Sequence, residues 1–443
     1  MRTVVFLLFC LAVPQTLTGS SDEAQYWPQW RGWDTTGVAK NGAPPITWSE
    51  DQNVRWKIPI SGFGLATPVV WGDYLYLLTA VKTQKKATVK EPAEGTDSAR
   101  RARFNPKVAD HYYQFQLQAI HRKSGKVAWT QTAIEALPHE STHADGSWAA
   151  HSAVTDGNRI LAYFGSAGLF CYTMEGKLLW QTDFGDMRTR NGFGEGSSPA
   201  IYDDKAVVNW DHEDQSFIVA LHMKTGETLW KKDRDEPTSW STPVIVEVDG
   251  KPQVIVNATN KVRGYDLQSG DVIWEFGGMT LNTIPTPIVS QGTLYVASGF
   301  RGNAARAVKL SGAKGDLTGT DHILWSYDRD TPYVPSMLLY DNLLYVVKTN
   351  KGILSCLDAK TGKPHYGPVR LEGISGIYAS PVGAKDHVYV VGRGGTSVVL
   401  KKGTEFQVVA TNKLDDRFDA SPVIVGRELY LRGHKSLYCI AVP

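Results

Sequence analysis

Eight times along the chain a hydroxyl residue opens a pair of short apolar stretches separated by a polar turn. The clearest copies are TPVVWGDYLYLL (67–78), TPIVSQGTLYVA (286–297), SPVGAKDHVYVV (380–391) and SPVIVGRELYLR (421–432). Looser copies begin at Ser152, Ser198, Thr242 and Ser336. Most openings fall 41 to 50 residues apart; the first interval is 85, because of insertions near 82–113 and 135–150. Each unit has a second half: AIHRKSGKVAW (119–129), CYTMEGKLLW (171–180), ALHMKTGETLW (220–230), GYDLQSGDVIW (264–274) and CLDAKTGKPHY (356–366). A small residue heads each one, a Gly closes its turn where φ must be positive, and an aromatic follows four residues later.

Two half-units make four strands joined by hairpins, which is one blade of a propeller. Eight openings therefore predict an all-β, eight-bladed β-propeller of four-stranded antiparallel blades. The last blade ends at Pro443 without a fourth strand, while NVRWKIPI (53–60) stands before the first opening as an orphan fourth strand. The N-terminal strand is thus expected to close the ring by completing blade eight. A single domain over 25–443 follows, with an N-terminal segment at 25–52 and an insertion at 82–113. Cys171, Cys356 and Cys439 fall in the same third-strand column as Ala119, Ala220, Gly264 and Ala307, which asks for a small buried residue.

The chain opens with Arg2, an apolar run from Val4 to Val13, and then small or polar residues. This reads as a signal peptide over residues 1–20, too short to span a bilayer, and no later stretch replaces it. The expected product is exported, periplasmic or secreted, without a transmembrane segment, and a monomer. The net charge of +2 argues against a nucleic-acid partner.

The openings and the TGxxxW endings resemble the quinoprotein-type, PQQ-like repeat propellers, the group to which the BamB-like proteins belong. YWPQWRGWDTTGVA (26–39), FGEGSSP (193–199), NWDHEDQSFIVAL (209–221) and LDDRFDASPVIVG (414–426) resemble exported bacterial members of that group. The resemblance implies the propeller fold and leaves two functions open. One is a non-catalytic scaffold that takes an envelope protein or an extracellular polymer and needs no cofactor. The other is a quinoprotein alcohol or sugar dehydrogenase using PQQ with calcium. Such dehydrogenases hold the quinone between a Trp and a pair of adjacent bonded cysteines, with calcium on Glu, Asn and Asp. This chain has no adjacent cysteine pair, and Glu195, Asn257 and Asp330 are drawn from three blades with nothing in their spacing to select them.

With the first strand innermost, the loops between blades and those between second and third strands share one face. Aromatics, Arg, His and Asp gather there, whereas the opposite face carries ordinary polar turns. Trp148 and Trp240 precede first-strand openings, either to stack a planar ligand at the channel mouth or to pack between blades. Arg301, Lys348, Arg393 and Arg432 recur near the ends of second strands and form either a cationic rim or salt bridges with Asp330, Asp416 and Asp419. Arg190 lies on a loop of the same face.

DHED, Asp211 to Asp214, is the second-to-third loop of blade three. It reads as a turn or loop-to-loop salt bridge, with a ligand contact through Asp211 and His212 as the alternative. Adjacent side chains alternate in direction in extended structure, so they do not converge on one metal ion. A hydrolase or lyase site assembled from His151, His212 and nearby carboxylates stays open as an alternative, although no nucleophile elbow, zinc or phosphate-loop motif occurs. The basic insertion at 82–113 reads as a lid, a partner-binding loop or disorder.

Overall fold

The computed structural model describes residues 26–87, 106–348 and 350–442. The signal segment at 1–20 and residues 88–105 of the insertion lie outside them. Eight antiparallel sheets of four strands form the blades, and two of them carry a short fifth strand in parallel register. In blade three the strands are Ala200–Tyr202, Lys205–Trp210, Ser216–His222 and Thr228–Arg234. The second and third strands are buried at almost every position because sheets cover both of their faces, whereas the fourth alternates towards solvent. Blade eight takes Val423–Val425, Glu428–Arg432 and Ser436–Ile440 from the C-terminus and Val54–Pro59 from the N-terminus, antiparallel, with Trp56 opposite Cys439. The ring is closed as the sequence predicts.

The endings of the repeat become the outer joints between blades. Trp56, Trp180, Trp230 and Trp325 each donate their indole N–H to a backbone carbonyl of the following blade, at 2.7, 3.0, 2.9 and 2.8 Å. The acceptors are Arg122, Met223, Leu267 and Ala359. Each ring also lies flat on the turn glycine of that blade: a Cβ at Gly125, Gly226, Gly270 or Gly362 would meet the indole at 2.5–2.9 Å. The glycine thus satisfies a positive φ and leaves room for a tryptophan at once. Within each blade the same aromatic pairs across the strand with the small third-strand residue: Trp129 with Ala119, Trp180 with Cys171, Trp56 with Cys439 and Tyr366 with Cys356. The three thiols are buried and free, and burial pushes each up to about 12. Trp274 departs from the pattern. Blade five has a longer third turn, so Trp274 packs over Gly264 and donates to Gln253 Oε1 at 2.9 Å in its own blade.

The openings form an inner belt. The amide of each opening residue donates to the hydroxyl of the next: Thr67 to Ser152 (3.0 Å), Ser152 to Ser198 (2.9 Å) and Ser198 to Thr242 (3.1 Å). It continues from Thr286 to Ser336 (3.0 Å), Ser336 to Ser380 (2.9 Å) and Ser380 to Ser421 (2.9 Å). Ser421 returns to Thr67 at 3.1 Å. The belt is interrupted only before Thr286, whose hydroxyl accepts instead from the Trp30 indole at 3.2 Å.

Trp30 belongs to an N-terminal segment that crosses under the ring. Trp27 pairs with Val70 of blade one, and the Pro28 carbonyl accepts from Thr155 of blade two. The buried Arg31 donates to Met337 and Pro381 carbonyls of blades six and seven, both at 3.1 Å. Having no carboxylate partner there, its guanidinium is brought down to about 9 by desolvation. Val38–Ala39 then adds to blade seven in parallel, and Ala43 reaches Gly426 of blade eight. The ends of the insertion are strand: Tyr74–Lys86 and His111–His121 extend one hairpin of blade one outward.

Gly270 and Gly72 both have positive φ, at +73° and +58°, but only Gly270 supports an indole; around Gly72 nothing lies within 4 Å. Both alanine variants incur the left-handed penalty of about 1–2 kcal/mol. Gly270→Ala must in addition displace Trp230, for roughly 1–3 kcal/mol more. Urea unfolding is expected to give Gly270→Ala the lower midpoint; equal midpoints would refute the joint.

Candidate functional site

The blade-joining loops of the upper face surround a central cavity of about 690 Å³. Its floor is the belt itself, with Thr67, Ser152, Ser198, Thr242, Thr286 and Ser421 exposed to it and Trp30 among them. The walls are aromatic on one side: Trp240, Phe300 and Tyr333. Trp240 is fixed by its indole N–H to the Gly194 carbonyl at 2.7 Å and lies over Gly196. Phe300 and Tyr333 stack at 4.9 Å between centroids, and Tyr333 lies near the Asn282 amide at 3.5 Å. Asn282 is 2% exposed, and its Oδ1 has no partner.

Charge is unevenly distributed around this cavity. Towards blades seven and eight it is neutralised. Asp145, on the loop from blade one to blade two, reaches across the mouth to accept from Arg393 (2.9 Å), Arg417 (2.5 Å) and the Tyr378 hydroxyl (3.2 Å). Asp419 takes Arg393, Arg417 and His434 from the other side, and Arg393 stacks on the Tyr378 ring at 3.7 Å. Towards blades three to five, Arg190 and Arg301 line the cavity with no acidic partner among the described residues. Arg301 lies 5.4 Å from the Phe300 ring, and the Arg190 amide is tied to Thr238 Oγ1 at 2.9 Å.

Of the residues singled out in the sequence, the cavity therefore brings together Arg190, Trp240 and Arg301. The cationic rim is not assembled: Lys348 pairs with Asp330, Arg393 is consumed by Asp145 and Asp419, and Arg432 is buried with Nη1 on the Ala66 carbonyl at 2.7 Å. Asp416 caps the backbone amides of Arg417, His434, Lys435 and Ser436. Trp148 stands away from the mouth, packed on Tyr113 and bonded to the Glu140 carbonyl at 3.1 Å. His151 is buried beside it, facing a second cavity of about 290 Å³.

DHED proves to be a junction between loops. Asp211 and Arg234 form a fully buried pair, both 0% exposed, at 2.7 and 3.0 Å, with Asn209 and Ser239 completing the carboxylate shell. Desolvation works against the Arg234 charge, but Asp211, Tyr265 and Glu236 outweigh it and hold the guanidinium above its usual value. His212 Nδ1 accepts from the Arg188 amide at 3.1 Å, and its Nε2 donates to the Gln215 carbonyl at 3.0 Å, which fixes the tautomer. Glu213 takes the Thr238 amide and hydroxyl, and Asp214 pairs with the exposed Arg188 at 2.6 Å. The four side chains diverge, Asp211 to Arg234, Glu213 to Thr238, and His212 and Asp214 to Arg188, so both neighbouring blade-to-blade loops are pinned from one turn. Among the described residues no group of three His, Cys, Asp or Glu is placed to hold a metal ion. Glu195, Asn257 and Asp330 do not meet: Glu195 is bound to Ser166, Asn257 to the Pro285 and Ala297 carbonyls, and Asp330 to Lys348.

Trp30, Asn282, Phe300 and Tyr333 were not singled out in the sequence. Trp30 lies outside the repeat, and the other three are on inter-blade loops whose lengths differ from blade to blade; the density of Trp in YWPQWRGW was the one available signal.

With this geometry in place, the chain is defined as an eight-bladed repeat propeller with a loop-built central cavity. A family model described as outer membrane protein assembly factor BamB matches residues 114–366, more than half of the chain, and the chain belongs to that family. A relative, outer membrane protein assembly factor BamB of Francisella salina, is 27% identical over 160 residues, 31% of this chain and 30% of the relative. The match thus spans less than a third of that relative's length. Among solved structures, BamB from Moraxella catarrhalis superposes with a TM-score of 0.54 at 13% identity over 82% of this chain and 100% of that one. The computationally designed protein Ika8 gives 0.54 at 12% identity over 75% and 93%. Both likenesses show the fold.

Asp211→Ala leaves the Arg234 charge buried without its partner, and a loss of about 3–5 kcal/mol is expected from urea unfolding. A fall under 1 kcal/mol would mean that the pair does not hold the junction. A second prediction concerns pH. Burial raises Glu195 and Glu236 to about 7. A carboxyl whose folded value is raised costs nothing below its unfolded value of about 4.5 and destabilises increasingly as pH climbs to about 7. Glu195→Gln is therefore expected to match the parent at pH 4.5 and exceed it by up to about 3 kcal/mol at pH 8. Parallel stability curves from pH 4.5 to 8 would contradict this.

Proposed function

We propose that the chain is a non-catalytic, exported propeller scaffold, acting as a monomer in the cell envelope without a cofactor. Its upper cavity receives an acidic stretch of a partner protein or of an extracellular polymer. The observation that carries this reading is the pair Arg190 and Arg301. Two cations without acidic partners among the described residues line one wall of the cavity beside Trp240, Phe300 and Tyr333, and Asn282 Oδ1 is unpaired behind them. Guanidinium groups recognise carboxylates through paired N–H donors, and flat aromatic walls hold either peptide or sugar rings. Family membership supports a scaffold or assembly role in the envelope, and no described helix is long and apolar enough to cross a membrane.

Catalysis receives no comparable support. His212 has both ring nitrogens engaged, Asp211 is locked on Arg234, and the residues needed around a quinone and calcium are dispersed. The residues do not fit that cofactor.

The test titrates the mature protein with poly-L-glutamate and with polygalacturonate, following tryptophan fluorescence at low and moderate salt. Saturable, salt-sensitive quenching by either polymer is expected, lost by at least tenfold in the Arg190→Glu, Arg301→Glu double variant. Quenching that the double variant retains would overturn the reading. So would saturable binding of PQQ with calcium accompanied by dye-linked alcohol oxidation.

A further inference from the structure

The second cavity, about 290 Å³, lies at the junction of blades one and two and shares Ser147 and Glu195 with the central one. Among the described residues its lining contains neither Lys nor Arg, whereas Glu140, Asp183, Asp186 and Glu195 all reach it. Phe115, Trp148 and Phe164 form its aromatic wall, with Phe115 and Phe164 edge to face at 5.3 Å.

At its inner end stands His151, 2% exposed, with neither ring nitrogen partnered. Leaving such groups unpaired in a buried site costs about 1–3 kcal/mol each, so a site that keeps them is built for something that pairs with them. Desolvation holds this imidazole down to about 3, so it is neutral and one nitrogen is an acceptor.

Glu195 meets His151 at the same end. Its carboxylate accepts from the Ser166 hydroxyl at 2.5 Å and amide at 2.8 Å. It occupies the space of a missing side chain: a Cβ on Gly165 would lie 1.3 Å from Glu195 Oε2 and 3.1 Å from His151 Cε1. The other carboxylates are partly committed, Glu140 to Thr189 and Asp183 to the Gly185 amide; His139 faces Asp186 at 3.7 Å and bonds the Met187 carbonyl.

We infer that this cavity is a binding site for a primary alkylammonium group, whose N–H donors are received by His151 and Glu195 and whose apolar stem lies against Phe115, Trp148 and Phe164. Aromatic faces attract cations, and the carboxylate supplies the opposite charge. A primary ammonium rather than a quaternary one is specified because only N–H donors satisfy the imidazole and carboxylate acceptors. The group is carried either by a free amine or by a lysine side chain of a partner protein. This site is separate from the acidic-ligand reading of the central cavity and does not rest on it.

The experiment is calorimetric titration of the full mature chain with n-butylammonium, with tetramethylammonium, and with the peptide acetyl-Gly-Lys-Gly-amide. Saturable binding of butylammonium or the peptide near about 1 mM or tighter is expected. Tetramethylammonium should bind at least tenfold more weakly. The peptide binding as well as butylammonium identifies a partner's lysine as the source; butylammonium alone identifies a free amine.

His151→Phe keeps the ring and removes both nitrogens, and Glu195→Gln removes the charge. Each is expected to weaken binding at least tenfold, while urea unfolding shows the variants folded. The Arg190→Glu, Arg301→Glu variant should retain butylammonium binding, so failure of one site is not mistaken for failure of the other. No binding of either primary amine, equal binding of tetramethylammonium, or undiminished binding by folded His151→Phe overturns the inference.

Discussion

Near the axis, where the first strands of eight blades converge, neighbouring sheets are joined by single hydrogen bonds at the openings. The chain enters each blade through a buried peptide whose N–H points across to the next sheet. A serine or threonine at the opening of that sheet supplies a short oxygen acceptor at the required distance, and its own N–H repeats the arrangement one blade further on. Every such link contributes only about 1 kcal/mol net, but an unpaired N–H there would cost more than the bond contributes. The hydroxyl is therefore demanded at seven of the eight openings, and the ring is held by a chain of local requirements. At Thr286 the N-terminal segment takes over, and Trp30 supplies the donor that blade four does not.

The outer circumference is joined differently, by area rather than by single bonds. Each indole of the TGxxxW ending lies on the next blade's glycine and reaches that blade's carbonyl, so a large apolar ring and one hydrogen bond set the spacing together. The two systems explain why small third-strand residues accompany the tryptophans. Cys171 and Ala220 sit directly across from Trp180 and Trp230, and a larger residue there would tilt the indole off its glycine. Trp274 shows the dependence by exception, because a lengthened turn in blade five removes the platform and the ring turns inward.

The blades were legible because they repeat: Ser336, with no SP or TP motif, was still recognisable by interval and by the strand pair that follows. The closing strand was legible because the last repeat is incomplete. What was not legible has no second copy to compare with. The crossing of residues 26–43 beneath the ring occurs once, and Asp145 finds Arg393 248 residues away through an insertion unique to the first interval. Regular recurrence also misled. Arg301, Lys348, Arg393 and Arg432 occupy equivalent places in their blades, yet their roles are set by the loops opposite, which are not equivalent. In DHED the buried guanidinium of Arg234 that Asp211 answers is supplied by a strand that gives no local signal.

The two cavities differ in what lines them although they share Ser147 and Glu195. Arg190 and Arg301 stand in the wall of the central cavity with no acidic partner among the described residues, while the described lining of the smaller one holds four carboxylates and neither Lys nor Arg. Glu195 stands on the dividing wall, where burial raises its proton affinity and Glu140 adds to the effect, opposed by Ser166 and His139. Moving that carboxylate outward would relieve its desolvation, but Gly165 leaves a recess that only a side chain from another blade fills, and Ser166 holds it there. The position is thus maintained against an electrostatic cost by two specific hydrogen bonds and a glycine. A carboxylate raised by burial is thus kept beside an imidazole with both nitrogens unpaired, in a cavity whose described lining offers neither Lys nor Arg to answer it.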